Sequence, residues 1–293
     1  MSPGQPAAAA ALAPDVTLVT HRGLPGGAPD DLLLAAALRA RGLAVRLLPW
    51  NDPEADWQAG RLAVVRSAWD YHHHTAEWLA WIASTREQTL LLNSGELLRW
   101  NTDKRYLRDL LRAGVPCIPT HFVEPFTFCE TLPGGHPAWI VKPAVGASAR
   151  GVRRFAGHEL PTEGRAYVNR LAQTGAVLVQ PYMAEVETAR ERSLVFIGGR
   201  FTHAFTKPAF STGATGSTAI APHRPTAAEL EVAAAAMGAL QGEPAYGRVD
   251  LVPTPGGPQL MELELIEPDL GLRLEPRAVE ALADVCLAHA GRR

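Results

Sequence analysis

Two carboxylates placed symmetrically about a turn constrain this chain more than any other feature in it. Asp250 and Glu262 flank Pro253-Thr254-Pro255-Gly256-Gly257-Pro258, and Gly256 is equally far from both. Pairing the flanks as a hairpin sets the two carboxylates opposite each other, with roughly 5 Å between Cβ atoms. Glu264, two residues on, falls on the same face by the period of two. Like charges opposed across strands destabilise a sheet, so something must offset them. An oxygen-seeking cation, Mg²⁺ or alternatively Mn²⁺, is the economical candidate, with Asp250, Glu262 and Glu264 as ligands. Glu267 and Asp269, just past the strand, are substitutes for Glu264. On this reading, Asp250→Asn or Glu262→Gln relieves repulsion and spares or improves the metal-free fold. The bland alternative is a solvated outer face whose charges never converge. Against it, Leu260, Met261, Leu263, Leu265 and Ile266 surround the carboxylates, as in an interior strand with one polar face.

The segments before this hairpin limit the architecture. Apolar runs at 16–20, 43–48, 62–65 and 90–92 read as strands, with helices over 31–40 and 76–84, which is a βαβ pattern. Asp30 and Asp31 open the first helix, while Arg39, Arg41 and Gly42 close it, as the macrodipole and C-cap geometry favour. A first domain boundary falls near residue 95. A helix over 102–113 follows, then strands over 118–123, 138–142, 152–155, 177–180, 193–197, 201–205, 246–252 and 259–265, and helices over 226–240 and 276–289. Gly198-Gly199 is a two-residue hairpin signal. An α/β start followed by antiparallel α+β sheets is the fold class expected, and 293 residues with 47% hydrophobic content supply two or three packed domains.

Charge and cysteine usage exclude several classes of function. With 28 Lys+Arg against 30 Asp+Glu, nothing draws the chain onto nucleic acid or anionic lipid. Cys117, Cys129 and Cys286 are odd in number, far apart and without a CxxC, which fits a reducing cytoplasm. Residues 1–14 have no basic residue ahead of their apolar part and read as a frayed tail, and no apolar run approaches membrane-spanning length.

A magnesium patch often serves phosphates, yet neither GxxxxGK[ST] nor GxGxxG occurs. A different cradle does. Trp139-Ile140-Val141-Lys142-Pro143 is a strand ending in a lysine, followed by Ala144-Val145-Gly146-Ala147-Ser148-Ala149-Arg150-Gly151. Small side chains let backbone N–H groups approach an anion while Lys142 adds a point charge. Alone, such a loop is equally a plain turn.

The order of Lys104 on a helix, Val141-Lys142-Pro143, Gln180-Pro181-Tyr182-Met183, Arg248-Val249-Asp250-Leu251 and Met261-Glu262-Leu263-Glu264 resembles the ATP-grasp superfamily. The 250-262-264 spacing is similar to the branch of glutathione synthetase and the ribosomal-protein glutamate ligases. Arg66-Ser67-Ala68-Trp69-Asp70-Tyr71, with Gln180-Pro181 and Arg192-Ser193-Leu194-Val195-Phe196, further resembles the cyclo-ligases of cycloserine biosynthesis, which close O-ureidoserine. The resemblance implies a tail at 1–14, a Rossmann-like pre-ATP-grasp domain at 15–95, a small ATP-grasp subdomain at 96–175 and a C-terminal subdomain at 176–293. It implies that Lys104 and Lys142 contact the α- and β-phosphates of ATP under the loop carrying Gly146 and Ser148. Gln180, Pro181, Tyr182 and Met183 form the adenine-reading hinge, Glu191 binds the ribose, and Lys207 and Arg248 act on the γ-phosphate. Gln180 stands where many members have Glu, and Glu264 where the branch usually has Asn.

Arg66, Trp69, Asp70 and Tyr71 follow an apolar strand, the end at which α/β sheets bind ligands, and are candidate substrate residues; the alternative is a buried aromatic with a structural Arg-Asp pair. His72, His73 and His74 diverge too much to share one ion and read as solvated loop residues before an N-cap at Thr75, although one can line the pocket. Trp78, Trp81 and Trp100 read as core, and Arg248 and Arg273 can each grip a carboxylate or phosphate bidentately. The activity implied is ATP- and Mg²⁺-dependent carboxylate–amine ligation through an acylphosphate, on a small amino-acid-like carboxylate and an amine, with a homo-oligomer left open. The rival readings are a non-catalytic ATP-binding module and a metal-dependent hydrolase without nucleotide.

Overall fold

Strands β1 (Val16–Thr20), β2 (Val45–Pro49), β3 (Leu62–Val65) and β4 (Leu90–Leu92) pair in parallel in the order β2-β1-β3-β4. Every residue of β1 and β3 is buried, as expected of parallel strands covered on both faces. Helices α1 (Pro29–Ala40) and α2 (Thr75–Thr85) supply two of the crossovers. At the start of α1, the Asp31 carboxylate accepts the Ala28 N–H at 2.8 Å. Trp78 and Trp81 stack at 4.7 Å between ring centroids inside the apolar core beside α2. The computed structural model describes residues 13–147, 149–208 and 220–291, so all but the last two residues of the expected tail lie outside it.

The helix expected over 102–113 is shorter, α4 (Tyr106–Arg112), and a helix the sequence reading lacks, α3 (Gly95–Thr102), precedes it. Ser94 caps α3 by accepting the Leu97 N–H. Between the helices, the Asp103 carboxylate accepts the Arg105 N–H at 2.9 Å and the Arg105 guanidinium, a local bonding pattern that competes with helix continuation. Lys104 therefore sits on a turn and not on a helix.

Strands β5 (His121–Val123), β6 (Ala138–Pro143), β7 (Arg153–Ala156) and, after α5 (Arg165–Ala172), β8 (Val177–Pro181) form an antiparallel sheet in the order β5-β8-β6-β7. This sheet runs past residue 175, where the sequence reading divides the chain, because β6 pairs with both β7 and β8.

After α6 (Glu185–Ala189), a larger sheet combines β9 (Glu191–Ile197), β10 (Arg200–Lys207) and β11 (Ala221–His223) with β12 (Tyr246–Val252) and β13 (Gln259–Glu264), in the order β11-β10-β9-β12-β13. Gly198 and Gly199 turn β9 into β10 with φ of +56° and +72°, the positive values such a hairpin needs. Helix α7 (Ala227–Gly238) and α3 and α4 share one core with this sheet. Helix α8 (Pro276–Ala290) packs with α1 in a core that joins residues of the parallel sheet to Val195, Phe205 and Tyr246. No helix among the described residues is long and apolar enough to cross a membrane.

Two buried asparagines fasten the parallel unit to the larger sheet. Asn93 donates to the Tyr246 and Leu265 carbonyls at 2.9 and 2.8 Å and accepts the Ala245 N–H at 2.6 Å. Asn101 donates to the Leu263 carbonyl and accepts the Leu265 N–H. The Tyr246 hydroxyl donates to the Val65 carbonyl at 2.6 Å. Removing such a side chain leaves several buried backbone groups without partners. Asn93→Ala should therefore cost about 2–4 kcal/mol, seen as a lowered urea midpoint at unchanged slope.

Candidate active site

The β12–β13 register places Asp250 opposite Glu262 and Arg248 opposite Glu264, and a bulge follows between Asp250 and Leu251. The sequence-derived symmetry of the hairpin thus holds as far as the carboxylates. Their repulsion is offset in the protein by cationic side chains. Asp250, 1% exposed, receives Arg248 Nε and Nη2 at 2.9 Å each, Lys207 Nζ at 2.7 Å and Ser193 Oγ at 2.7 Å. Glu262 receives Lys142 Nζ at 2.8 Å, and Glu264 receives Arg248 Nη2. Lys207 also meets Glu191 at 3.0 Å.

The titration of the cluster follows from these pairs. Burial works to raise the Asp250 carboxyl, but Arg248 and Lys207 override it and hold the group below the usual carboxylate range. Burial is likewise outweighed at Glu262, which Lys142 and Lys104 hold at about 2. Glu264 and Glu191 are raised by burial. The expectation that Asp250→Asn or Glu262→Gln spares the fold is therefore corrected: either change strands buried cations that the carboxylate now neutralises.

As a donor set for a hard cation the patch is incomplete in this state. Among the described residues no group of three or more His, Cys, Asp or Glu side chains stands ready to hold a metal. The carboxylate oxygens of Asp250, Glu262 and Glu264 are of the right kind, however.

These groups line one cavity of about 700 Å³, together with Lys104, Gly146, 180–183, Glu191, Arg66, Trp69, Asp70 and Tyr71. Lys142 enters from β6. Lys104 enters from the α3–α4 turn, its ammonium donating to the Gly146 carbonyl. Ser148 lies outside the described residues. Gln180 is buried, its amide donating to Thr120 Oγ1 at 2.8 Å, while the Tyr182 N–H donates to the Ala138 carbonyl at 2.9 Å. The Tyr182 hydroxyl donates to Glu187, and Met183 completes this wall.

At the carboxyl ends of β1 and β3, Arg66 is 2% exposed, its Nε 3.4 Å from Asp31 and its Nη2 3.3 Å from the Pro268 carbonyl. Trp69 donates to the Glu267 carbonyl at 3.0 Å. Asp70 is engaged structurally, accepting from the Trp50 indole at 2.7 Å and the Asn51 amide at 2.9 Å. Tyr71 is buried 5.2 Å from Trp78 between ring centroids.

Several lining residues escaped the sequence reading. Asp30 and Asp31 had the signature of helix-start acids, yet both are buried and reach the cavity, Asp30 accepting the Leu272 N–H at 2.7 Å. The histidine run is corrected in part. His74 is exposed and lies 3.5 Å from Glu77, but His72 and His73 line the cavity, and His74, not Thr75, is the N-cap of α2. Arg273 holds Asp269 with two nitrogens at 3.0 Å each, so its grip is taken up within the protein.

Comparison with known proteins identifies relatives of the whole chain. A family model described as the N-terminal domain of D-cycloserine synthetase DcsG matches residues 16–93. The cycloserine biosynthesis protein DcsG of Streptomyces lavendulae is 32% identical over 276 residues, covering 86% of this chain and 92% of that protein. The crystal structure of D-cycloserine synthetase DcsG superposes with a TM-score of 0.83 at 29% identity, over 94% of this chain and 99% of that one. An ATP-grasp RimK domain protein from Sphaerobacter thermophilus shares the fold, with a TM-score of 0.64 at 18% identity over 92% of this chain and 97% of that one.

The Glu267 carboxyl is raised to about 8 by burial and by Glu264. Because its folded value exceeds its unfolded one, the native state holds a proton that the unfolded chain has lost above about pH 4.5. Its contribution is intact below that pH and is lost as pH rises through 8. Glu267→Gln should therefore flatten the fall in melting temperature between about pH 5 and 8, as thermal melts across that range would report.

Proposed function

Since the chain belongs to the family of D-cycloserine synthetase DcsG, an ATP-grasp ligase fold, we propose that it activates a small amino-acid-like carboxylate with Mg-ATP and joins it to a nitrogen of the same molecule. The observation that carries this reading is the convergence, in one cavity, of cationic and anionic groups from all three sheets with the carboxyl ends of β1 and β3.

When bound, Mg-ATP supplies the phosphoryl group that turns the carboxylate into an acylphosphate and the metal charge that offsets the phosphates. The residues we assign to the metal are Asp250, Glu262 and Glu264. Those carboxylates are neutralised by Lys142, Lys207 and Arg248, and Mg-ATP is itself a paired anion and cation. Lys142 and Lys207 would pair with phosphate oxygens and the carboxylates would hold the metal, so that no buried charge would be left alone. Lys104 and Lys142 hold the inner phosphates, the 180–183 backbone reads the adenine edge, and Glu191 takes the ribose. Lys207 and Arg248 offset charge on the transferred group. Arg66 orients the small substrate against Trp69 and Tyr71, and the enclosing walls keep water from the activated carboxyl.

Mg-ATP at about 100 times its Kd should add about 2.7 kcal/mol to stability, roughly 5 °C in melting temperature. Lys142→Met should abolish that shift. No shift in the wild-type chain would overturn the nucleotide assignment.

Arg66→Lys keeps a cation beside Asp31 but loses the planar fork. Phosphate-release kinetics with ureido and aminooxy amino acids should show kcat/KM for the carboxylate substrate falling about 10–100-fold, with the KM for ATP unchanged. Equal weakening of both would assign Arg66 to the fold.

A further inference from the structure

The loops that follow β1, β2 and β3 meet at His21, a side chain with no part so far in the ligase reading. Ligands bind at the carboxyl ends of such strands, and here the backbone is tied across all three. The Trp50 N–H donates to the Thr20 carbonyl at 2.9 Å, and the Arg66 and Ser67 N–H groups donate to the Val19 carbonyl at 3.0 and 3.2 Å. The Arg22 N–H donates to Asn51 Oδ1 at 2.9 Å. Asp70 closes the group, accepting from Trp50 Nε1 at 2.7 Å and from Asn51 Nδ2 at 2.9 Å. The His21 ring lies beside it, with Nδ1 3.4 Å from Asp70 Oδ2, and keeps 17% of its side-chain surface exposed where it lines the cavity.

One nitrogen of that ring is engaged within the protein. Nδ1 accepts the Gly23 N–H at 3.2 Å, so the neutral imidazole carries its proton on Nε2. A second proton goes to Nδ1, where it faces Asp70. Nε2 is therefore a donor in both states. With the Asp70 carboxylate beside it, the pair carries no net positive charge in either state, which suits an uncharged acceptor better than a carboxylate. The ring's position depends on glycine at 23. Gly23 is not at a positive φ, so its conformation does not demand glycine. A Cβ there would instead come within 2.9 Å of His21 Cε1 and 3.1 Å of Nδ1. Resting on the ligase reading, we propose that His21 Nε2–H binds an uncharged carbonyl oxygen of the small substrate. His21 then selects an amino acid bearing a ureido or amide group over an analogue without that carbonyl. Asp70 and Gly23 are positioning residues that act through the ring.

Two related compounds separate this contact from a general effect on the site. ADP release by the full chain would be followed with Mg-ATP and O-ureidoserine, and its inhibition measured with O-aminoserine, which lacks the carbonyl. His21→Leu should raise the KM for O-ureidoserine about 10-fold while the inhibition constant of O-aminoserine, the KM for ATP and the melting temperature stay within about two-fold or a few degrees of wild type. His21→Gln, which keeps an N–H donor, should recover most of the loss. Gly23→Ala, which displaces the ring with His21 still present, should reproduce the selective rise. An unchanged KM for O-ureidoserine in His21→Leu would overturn the contact. Equal weakening of both compounds, or no recovery in His21→Gln, would also overturn it and assign His21 to the frame of the three loops. Absence of ADP release by the wild-type chain would overturn the ligase reading and this role with it.

Discussion

Opposed carboxylates on adjacent strands of a buried hairpin cannot stand alone, and the arrangement of the site follows from how they are neutralised. Asp250 and Glu262 face each other, and the compensating charges come from three different strands: Lys142 from β6, Lys207 from β10 and Arg248 from β12. The two antiparallel sheets are thereby tied across the cavity by ion pairs as well as by apolar contact. Buried pairs of this kind are weak contributors to net stability, because desolvation consumes most of the attraction. Their value lies in specificity. They hold lysines and carboxylates at the wall of one cavity, in a state that a polyanion and a divalent cation can enter by exchange of partners.

The parallel unit is held in place by a different interaction. Asn93, Asn101 and the Tyr246 hydroxyl bond to main-chain groups on the far side of the junction, where an apolar contact alone would leave the register free. Main-chain hydrogen bonds have fixed direction, so the carboxyl ends of β1 and β3 are aimed at the hairpin. This aim brings Arg66 and Trp69 against 267–268, a few residues from the carboxylates. Lys104 and Lys142 meet at the β6 loop, while Asp30, Asp31 and Asp70 follow the carboxyl ends of β1 and β3.

Much of this was legible in the sequence because it depends on short-range rules. The turn at 253–258 with flanking carboxylates determined the pairing of Asp250 with Glu262, since hairpin register follows from turn position and the period of a strand. The apolar runs of β1 and β3, the glycine pair at 198–199 and the lysine ending β6 were readable for the same reason. Family resemblance extended this to a list of site residues, whose described members the fold gathers around one cavity.

What only tertiary structure decided was the partner of each charge. Nothing within a few residues of Asp250 announces Lys207, 43 positions away, or tells that Glu262 meets Lys142 across 120. Helix α3 went unread and α4 begins four residues later than expected, because the Asp103–Arg105 bonding that separates them is local and leaves no mark on the apolar pattern. Asp30 and Asp31 satisfied a helix-start rule so well that their place at the cavity had no separate signal. Sequence determines which chemical groups are available and which strands carry them. Burial and long-range contact then decide which of those groups are neutralised and which are left able to act, because both depend on what the fold brings within a few ångströms.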